Sequence, residues 1–294
     1  MKKFFTGLLV TLIVIVLLYF GSIYYFLSQA HIGASDITDE WKSDEHILRV
    51  LVVGLDHSET QGQNVRTDTI MLMQLDYKSG KVSLLSIPRD TYVYLSAVNH
   101  MDKINHAFRY GGIETTKAVV SEILNIEIPY YVVVGYDMAR EAVDLVGGVE
   151  VDVPIDMVYE DPTADPPLYI NLEKGLQILD GKKALQYLRF RKGYGNQDLG
   201  RINAQQVFVQ SFMHELTKPV NLLKVPLMVK SYTDNVNTNL PLSKLIKFAA
   251  KIRLYNFNDM ELATLPGIPN ERNGISYYDV NADELLELAN KLYR

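Results

Sequence analysis

The hydrophobic pattern divides the chain before any chemistry is considered. From Phe4 to Leu27 run 24 residues without a charge, FFTGLLVTLIVIVLLYFGSIYYFL. As a helix this run would extend about 36 Å, enough to cross a bilayer. A cleaved signal peptide is the competing reading, with Ser28-Gln29-Ala30 as its small-residue site. Its apolar region is normally only about 7–15 residues, so the length favours an uncleaved anchor over residues 1–27. Lys2 and Lys3 precede the run, and the first charges after it are Asp36 and Asp39. The positive-inside rule then predicts a cytoplasmic amino terminus, with the rest of the chain outside the cell membrane and Tyr19, Tyr24 and Tyr25 near the outer interface. Residues 28–46 are polar and irregular and read as a stalk.

Beyond the stalk the period alternates between that of strands and that of helices. Ile47–Val53 is a continuous apolar run suited to a strand buried on both faces. Thr69–Asp76 and Val82–Ile87 read as strands, and the turn Lys78-Ser79-Gly80 joins them as an antiparallel hairpin. Further expectations are a helix over 112–125, a strand at Tyr130–Tyr136, a helix over Met138–Val146 stopped by Gly147-Gly148, and a strand at Val149–Val153. Glu160 to Pro167 is a polar loop. Asp180 is placed to cap a helix over 181–188, and Asp198 one over 199–216. Helix 242–253, strand 260–265 and helix 282–293 complete the pattern. Interleaved strands and helices predict an α/β fold over residues 47–294, a single α/β/α sandwich domain with a mixed central sheet.

Charge narrows the partners. Without residues 1–35 the chain carries 27 basic against 35 acidic side chains, a balance that disfavours nucleic acid. Cysteine is absent, which removes disulfides, thiolate metal sites and cysteine nucleophiles. Against this acidic background Arg189, Arg191, Lys192 and Arg201 fall within thirteen residues.

The predicted strand order brings other charges to the same place. If the strand at 47–53 runs up, the next down and the third up, then Asp56, Arg66, Asp68, Arg89 and Asp90 share one end of the sheet, where open α/β sheets bind ligands. Asp56 and Asp68 flank one loop and could hold Mg²⁺, which takes one or two carboxylates and fills its octahedron with water and phosphate oxygens. A capping role for Asp56 and an ion pair of Asp68 with Arg66 is the plainer alternative. Several forked guanidinium groups beside a divalent cation describe a pyrophosphate site. Strand-like alternation in Arg189-Phe190-Arg191 would aim both arginines to one side. Arg201 and Gln205 lie one turn apart near a helix start, where backbone amides also favour an anion. In that helix Val207, Phe208, Phe212 and Leu216 suggest an apolar stripe, either core or the wall of a pocket. His100 and His106 read as polar loop residues rather than zinc ligands.

The motifs GLD at 54–56, RTDT at 66–69, SIPRD at 86–90, DKINHAF at 102–108, GGVEVDVP at 147–154, DGKKALQYLRFR at 180–191 and DLGRINAQQ at 198–206 together resemble the LytR-CpsA-Psr family of membrane-anchored phosphotransferases. LPG at 265–267 and SYYDVNADEL at 276–285 match more weakly. The resemblance implies an α/β/α sandwich that seats a polyprenyl-pyrophosphate-linked glycan with its lipid tail between sheet and helices, and that transfers the glycan phosphate to peptidoglycan. It implies Asp56 and Asp68 near Mg²⁺, and Arg66, Arg89, Arg189, Arg191, Arg201 and Gln205 on the pyrophosphate. Family members often carry an arginine before the paired glutamines, where this chain has Ala204. In the implied reaction a sugar hydroxyl of peptidoglycan attacks the phosphorus bound to the glycan, and Arg89 stabilises the charge. Asp68 or Asp90 would accept the hydroxyl proton, with Asp68 mainly tied to the metal. Hydrolysis of the same pyrophosphate, and a noncatalytic regulator that only captures lipid phosphate, use the same residues. Lys103 and Asn105 would orient the acceptor or brace their loop.

Overall fold

The structure, a computed structural model, describes residues 21, 25, 45–55, 66–164, 167–194, 197–222, 224, 227–231 and 236–293. The predicted anchor and stalk, and Asp56, lie outside these residues, apart from Gly21, Tyr25, Glu45 and His46.

A mixed sheet forms the centre. Strands β1 (Ile47–Leu55), β2 (Thr67–Asp76) and β3 (Val82–Ser86) pair antiparallel in sequence order, up, down and up as the pattern predicts. The turn between β2 and β3 closes at Gly80, which adopts a positive φ of 74° that favours glycine. On one side β6 (Tyr130–Val134) joins β1 in parallel and the short β11 (Asn237–Thr238) joins β6; on the other, β12 (Glu261–Thr264) runs parallel to β3.

Both faces of this sheet are apolar, so it must be covered twice. Leu51, Val53, Ile70 and Leu72 pack with Val119, Val120 and Leu124 of helix α1 (His106–Leu124) and with Leu292 of the carboxy-terminal helix (Ala282–Tyr293). Leu48, Val50, Met71 and Met73 face the opposite way, against Met213, Leu240, Ile252 and Phe257. The alternation of odd and even positions along β1 and β2 thus builds two cores from one pair of strands. A third cluster joins helix α2 (Tyr136–Val146), the pair β7 (Val149–Val153) and β10 (Gly175–Leu179), the hairpin β8 (Met157–Asp161) to β9 (Leu168–Leu172), and helix α3 (Gly181–Arg189). Asp180 caps α3, its carboxylate accepting from the Lys183 N–H at 2.8 Å, and α2 stops at Gly147 with φ 91°.

Several expectations need correction. Helix α4 spans Gln197–Thr217, so Asp198 lies inside its first turn rather than capping it. Val207 is exposed while Phe208 packs in the third cluster, so the apolar stripe along α4 is broken at its first member. Besides the β8–β9 hairpin, where the pattern gives only the polar loop Glu160 to Pro167, two further hairpins appear that it does not predict. One is β4 (Tyr92–Leu95) with β5 (His100–Lys103), the other β13 (Gly267–Arg272) with β14 (Ile275–Val280). Gly267, the glycine of the LPG motif, permits the second, since a Cβ there would lie 2.2 Å from the Asp279 carbonyl oxygen.

Candidate functional site

The site begins with a fault in the β1–β2 ladder. Gly54 pairs with Thr69 and Leu55 with Thr67, leaving Asp68 as the extra residue of a bulge. Bulges of this kind re-aim a side chain at a strand end. They also release backbone groups from the ladder, and here the Asp68 carbonyl accepts from Arg201 Nη2 at 3.3 Å.

Three guanidinium groups from three elements close on that one carboxylate. Arg89, in the loop after β3, donates from Nη1 to Asp68 Oδ1 at 2.5 Å. Arg191, two residues past α3, donates from Nη2 to Asp68 Oδ2 at 2.5 Å. Arg201, on α4 and only 2 % exposed, places Nη1 3.8 Å from Oδ2 and donates from Nη2 to Asp198 Oδ1 at 2.8 Å. Burial would raise the Asp68 pKa, but Arg191, Arg89 and Arg201 outweigh it and hold the carboxyl below the usual range. Burial alone would lower the pKa of Arg89, yet Asp68 and Asp198 keep it raised. Arg201 is lowered, chiefly by burial and only partly offset by Asp198. The Nε atoms of Arg89 and Arg201 are buried without a hydrogen-bond partner among the described residues. Such orphaned donors in a cationic site suit an incoming anion.

The backbone around Arg89 is pinned from several directions. Asn105 N–H donates to the Arg89 carbonyl at 3.2 Å and Tyr278 N–H to the Asp90 carbonyl at 2.9 Å. The Lys103 ammonium reaches Asp90 Oδ1 at 2.7 Å, while Arg89 Nε lies 3.8 Å from Asp90 Oδ2. These contacts give the DKINHAF and SYYDVNADEL motifs a physical role: both hold the loop that carries Arg89 and Asp90.

The remaining candidates lie around this knot. Arg189 diverges from Arg191, because it is still the last residue of α3 and strand alternation does not apply; its guanidinium stacks 4.6 Å from the Tyr136 ring centre. Tyr136 opens α2 just past β6, which runs parallel to β1, so Arg189 stays at the same end of the sheet. Arg66 is exposed and directly precedes β2. Gln205 is buried and donates to the Leu188 carbonyl at 3.3 Å, bracing the segment before Arg191. Ala204 is buried in the third cluster.

One member of the site escapes sequence reasoning. Asp198 reads as a helix cap, yet it balances Arg201 at 2.8 Å and lies 3.7 Å from Arg89 Nε; its i,i+3 spacing to Arg201 is the signal that could reveal it. The direct pairing of Lys103 with Asp90 has no local signal, since thirteen residues and a hairpin separate them. His106 donates from Nδ1 to Asp102 Oδ2 at 2.8 Å, a polar contact beside the hairpin.

Asp68 is the one described carboxylate of the pair expected near Mg²⁺. Its two oxygens offer about four lone-pair positions, and the two short arginine contacts use two of them. The positions left over are hard oxygen donors of the kind such a cation takes, but the surrounding arginines would repel one unless a diphosphate supplied negative charge. Metal and anion would be held together or not at all.

Residues 25–294 match the LytR_cpsA_psr family. Polyisoprenyl-teichoic acid–peptidoglycan teichoic acid transferase TagU of Bacillus subtilis (strain 168) is 29% identical over 99% of this chain and 96% of its own length. The crystal structure of B. subtilis TagV superposes with a TM-score of 0.74 at 27% identity, covering 85% of this chain and 97% of that one. The family protein YwtF (TagT) with bound octaprenyl pyrophosphate lipid superposes with a TM-score of 0.62 at 26% identity, over 84% of this chain and 89% of that one. With a family match over residues 25–294 and a solved structure of the same fold, this chain belongs to the LytR-CpsA-Psr family.

Proposed function

We propose that this protein transfers a glycan phosphate from a polyprenyl-pyrophosphate-linked precursor to a hydroxyl of peptidoglycan, anchoring a secondary wall polymer. The observation that carries the reading is the convergence of Arg89, Arg191 and Arg201 on Asp68 at the sheet end. The transferase activity named for TagU and the pyrophosphate lipid bound by TagT support it.

Phosphoryl transfer asks the protein mainly for positioning and charge stabilisation. The arginines would share the phosphate oxygens as the acceptor oxygen forms its bond to the glycan-bearing phosphorus and the bridging P–O bond breaks, releasing polyprenyl phosphate. Asp90 is better placed than Asp68 to take the hydroxyl proton. Both Asp68 oxygens already bind guanidinium, which lowers its basicity, whereas Asp90 is held by a single short contact from Lys103. When bound, Mg²⁺ at Asp56 and Asp68 would neutralise charge on the diphosphate.

Incubation of the full chain in detergent with a lipid-linked glycan, Mg²⁺ and peptidoglycan fragments tests this directly. Glycan phosphate attached to the fragments is the expected result. Free glycan phosphate alone would replace the reading with hydrolysis, and unchanged lipid with a binding regulator.

The proposal extends to placement: residues 1–27 as a membrane anchor, 28–46 as a stalk and 47–294 as an outer catalytic domain. The uncharged run from Phe4 to Leu27 supports it. So does the geometry of β1, whose nine residues, about 30 Å, separate the point of entry at Ile47 from the site. Protease added to intact wall-stripped cells should remove the outer domain, and full protection would overturn this topology.

A further inference from the structure

We infer that the outer face of the β4–β5 hairpin is the seat of the acceptor glycan strand, a partner made of sugar rings. The inference rests on the transfer reading above and adds the surface on which the second substrate lies.

The pairing fixes which residues share that face. Tyr92 stands opposite Lys103 and Tyr94 opposite Met101. Directly opposed residues point to the same side of a hairpin. The other side of β4 carries Val93 and Leu95, both buried. The outward side is thus Tyr92, Tyr94, Met101 and Lys103. At its far end Tyr94 and Met101 are 46% and 43% exposed, side by side.

The inner end of this face is built rather than accidental. Tyr277 of β14 meets the Tyr92 ring edge-on at 4.8 Å. Lys103 Nζ lies 5.4 Å over the Tyr277 ring and Arg272 4.3 Å over the Tyr92 ring. Asp279 fixes Arg272 through Nη2 contacts of 2.8 and 2.9 Å. The same Lys103 binds Asp90 at 2.7 Å, so the stack of rings and cations is continuous with the residues beside the three arginines.

A platform running outward from the reaction centre should hold whatever must approach that centre end-on. β4 spans four residues, about 13 Å, long enough for more than one sugar ring. Tyrosine and methionine offer flat and adaptable apolar surface to the C–H faces of sugars, while the tyrosine hydroxyls and flanking cations can meet their hydroxyls. A membrane is a poorer occupant. The hairpin starts at the end of the sheet opposite Ile47, where the chain enters from its apolar amino-terminal run.

The test uses the full chain in detergent and soluble glycan strands released from peptidoglycan with their peptides removed. The double variant Tyr94→Ala/Met101→Ala should weaken glycan binding at least about fivefold relative to wild type. Its melting temperature and its affinity for polyprenyl pyrophosphate should stay unchanged, since both side chains are exposed. Val158→Ala, an exposed apolar position on β8, should leave glycan binding intact. In turnover, only the KM for the acceptor should rise. Binding by the double variant within twofold of wild type would overturn the inference, as would wild type that binds no glycan, or self-association that the double variant abolishes while glycan binding persists. Glycan binding that depends on Tyr94 and Met101 without any transfer would sink the proposed reaction and leave the docking face standing.

Discussion

Replacing Arg191 with alanine should reduce glycan transfer by about 10²–10³-fold, the usual consequence of removing one positioned donor to a developing anion. Arg191 donates to Asp68 from just past α3 with its side chain 40% exposed, so its removal changes charge more than packing. Arg89→Ala should lose at least as much, because Arg89 touches Asp68 and also approaches Asp90 and Asp198. Lysine should not rescue either position, since a single ammonium cannot reproduce the forked donor that spans two acceptors. Lys192→Ala provides the contrast. Its ammonium lies 4.5 Å over the Tyr159 ring, away from the knot, and its loss should leave turnover within about twofold, in keeping with the small effects of most surface substitutions. Initial rates with lipid-linked glycan, beside melting curves for each variant, decide the matter. Wild-type turnover in Arg191→Ala would remove that residue from the mechanism.

The contrast between Arg191 and Lys192 marks how far the sequence could be read. The three central strands were legible because their apolar runs are long and leave no choice but burial on both faces. The stop at Gly147 and the cap at Asp180 were legible because each is a local rule satisfied by nearby backbone. Hairpins such as β4–β5 were not. The four residues of β5, His100 to Lys103, carry no strand pattern, and they pair because β4, Asn105 and the Arg89 loop hold them there. The site was partly legible in the same sense. Up, down and up strand directions were enough to bring Asp68, Arg89 and Asp90 together, but the bulge that turns Asp68 toward the arginines depends on a register shift with no signature in the residues themselves. The divergence of Arg189 has the same origin, since one extra residue of helix redirects a side chain that strand alternation would have aligned with Arg191.

Asp68 itself should have the most complex response, because it is both the counter-charge of three arginines and a prospective metal ligand. Asp68→Ala leaves Arg89, Arg191 and Arg201 facing one another around an empty place, and removal of one partner from a largely buried ionic cluster costs roughly 3–5 kcal/mol. The pH dependence of that loss is a sharper test than its size. The folded carboxyl titrates below its usual value of about 4, whereas in the unfolded chain it titrates near it. Its contribution is therefore fully present above the unfolded value and disappears as pH falls through the lower folded one. Wild type should exceed the variant by a constant margin from about pH 8 to pH 5, with the gap closing below about pH 4. Denaturant titrations across this range give the margin directly. Transfer at neutral pH should fall at least about a hundredfold. Affinity for polyprenyl pyrophosphate without Mg²⁺ should hold or increase, since the variant removes a negative charge that competes with the diphosphate for the same guanidinium groups. A variant that loses pyrophosphate affinity under those conditions would show that Asp68 orders the arginines more than it opposes the ligand. The arginine cluster would then need its carboxylate to exist at all.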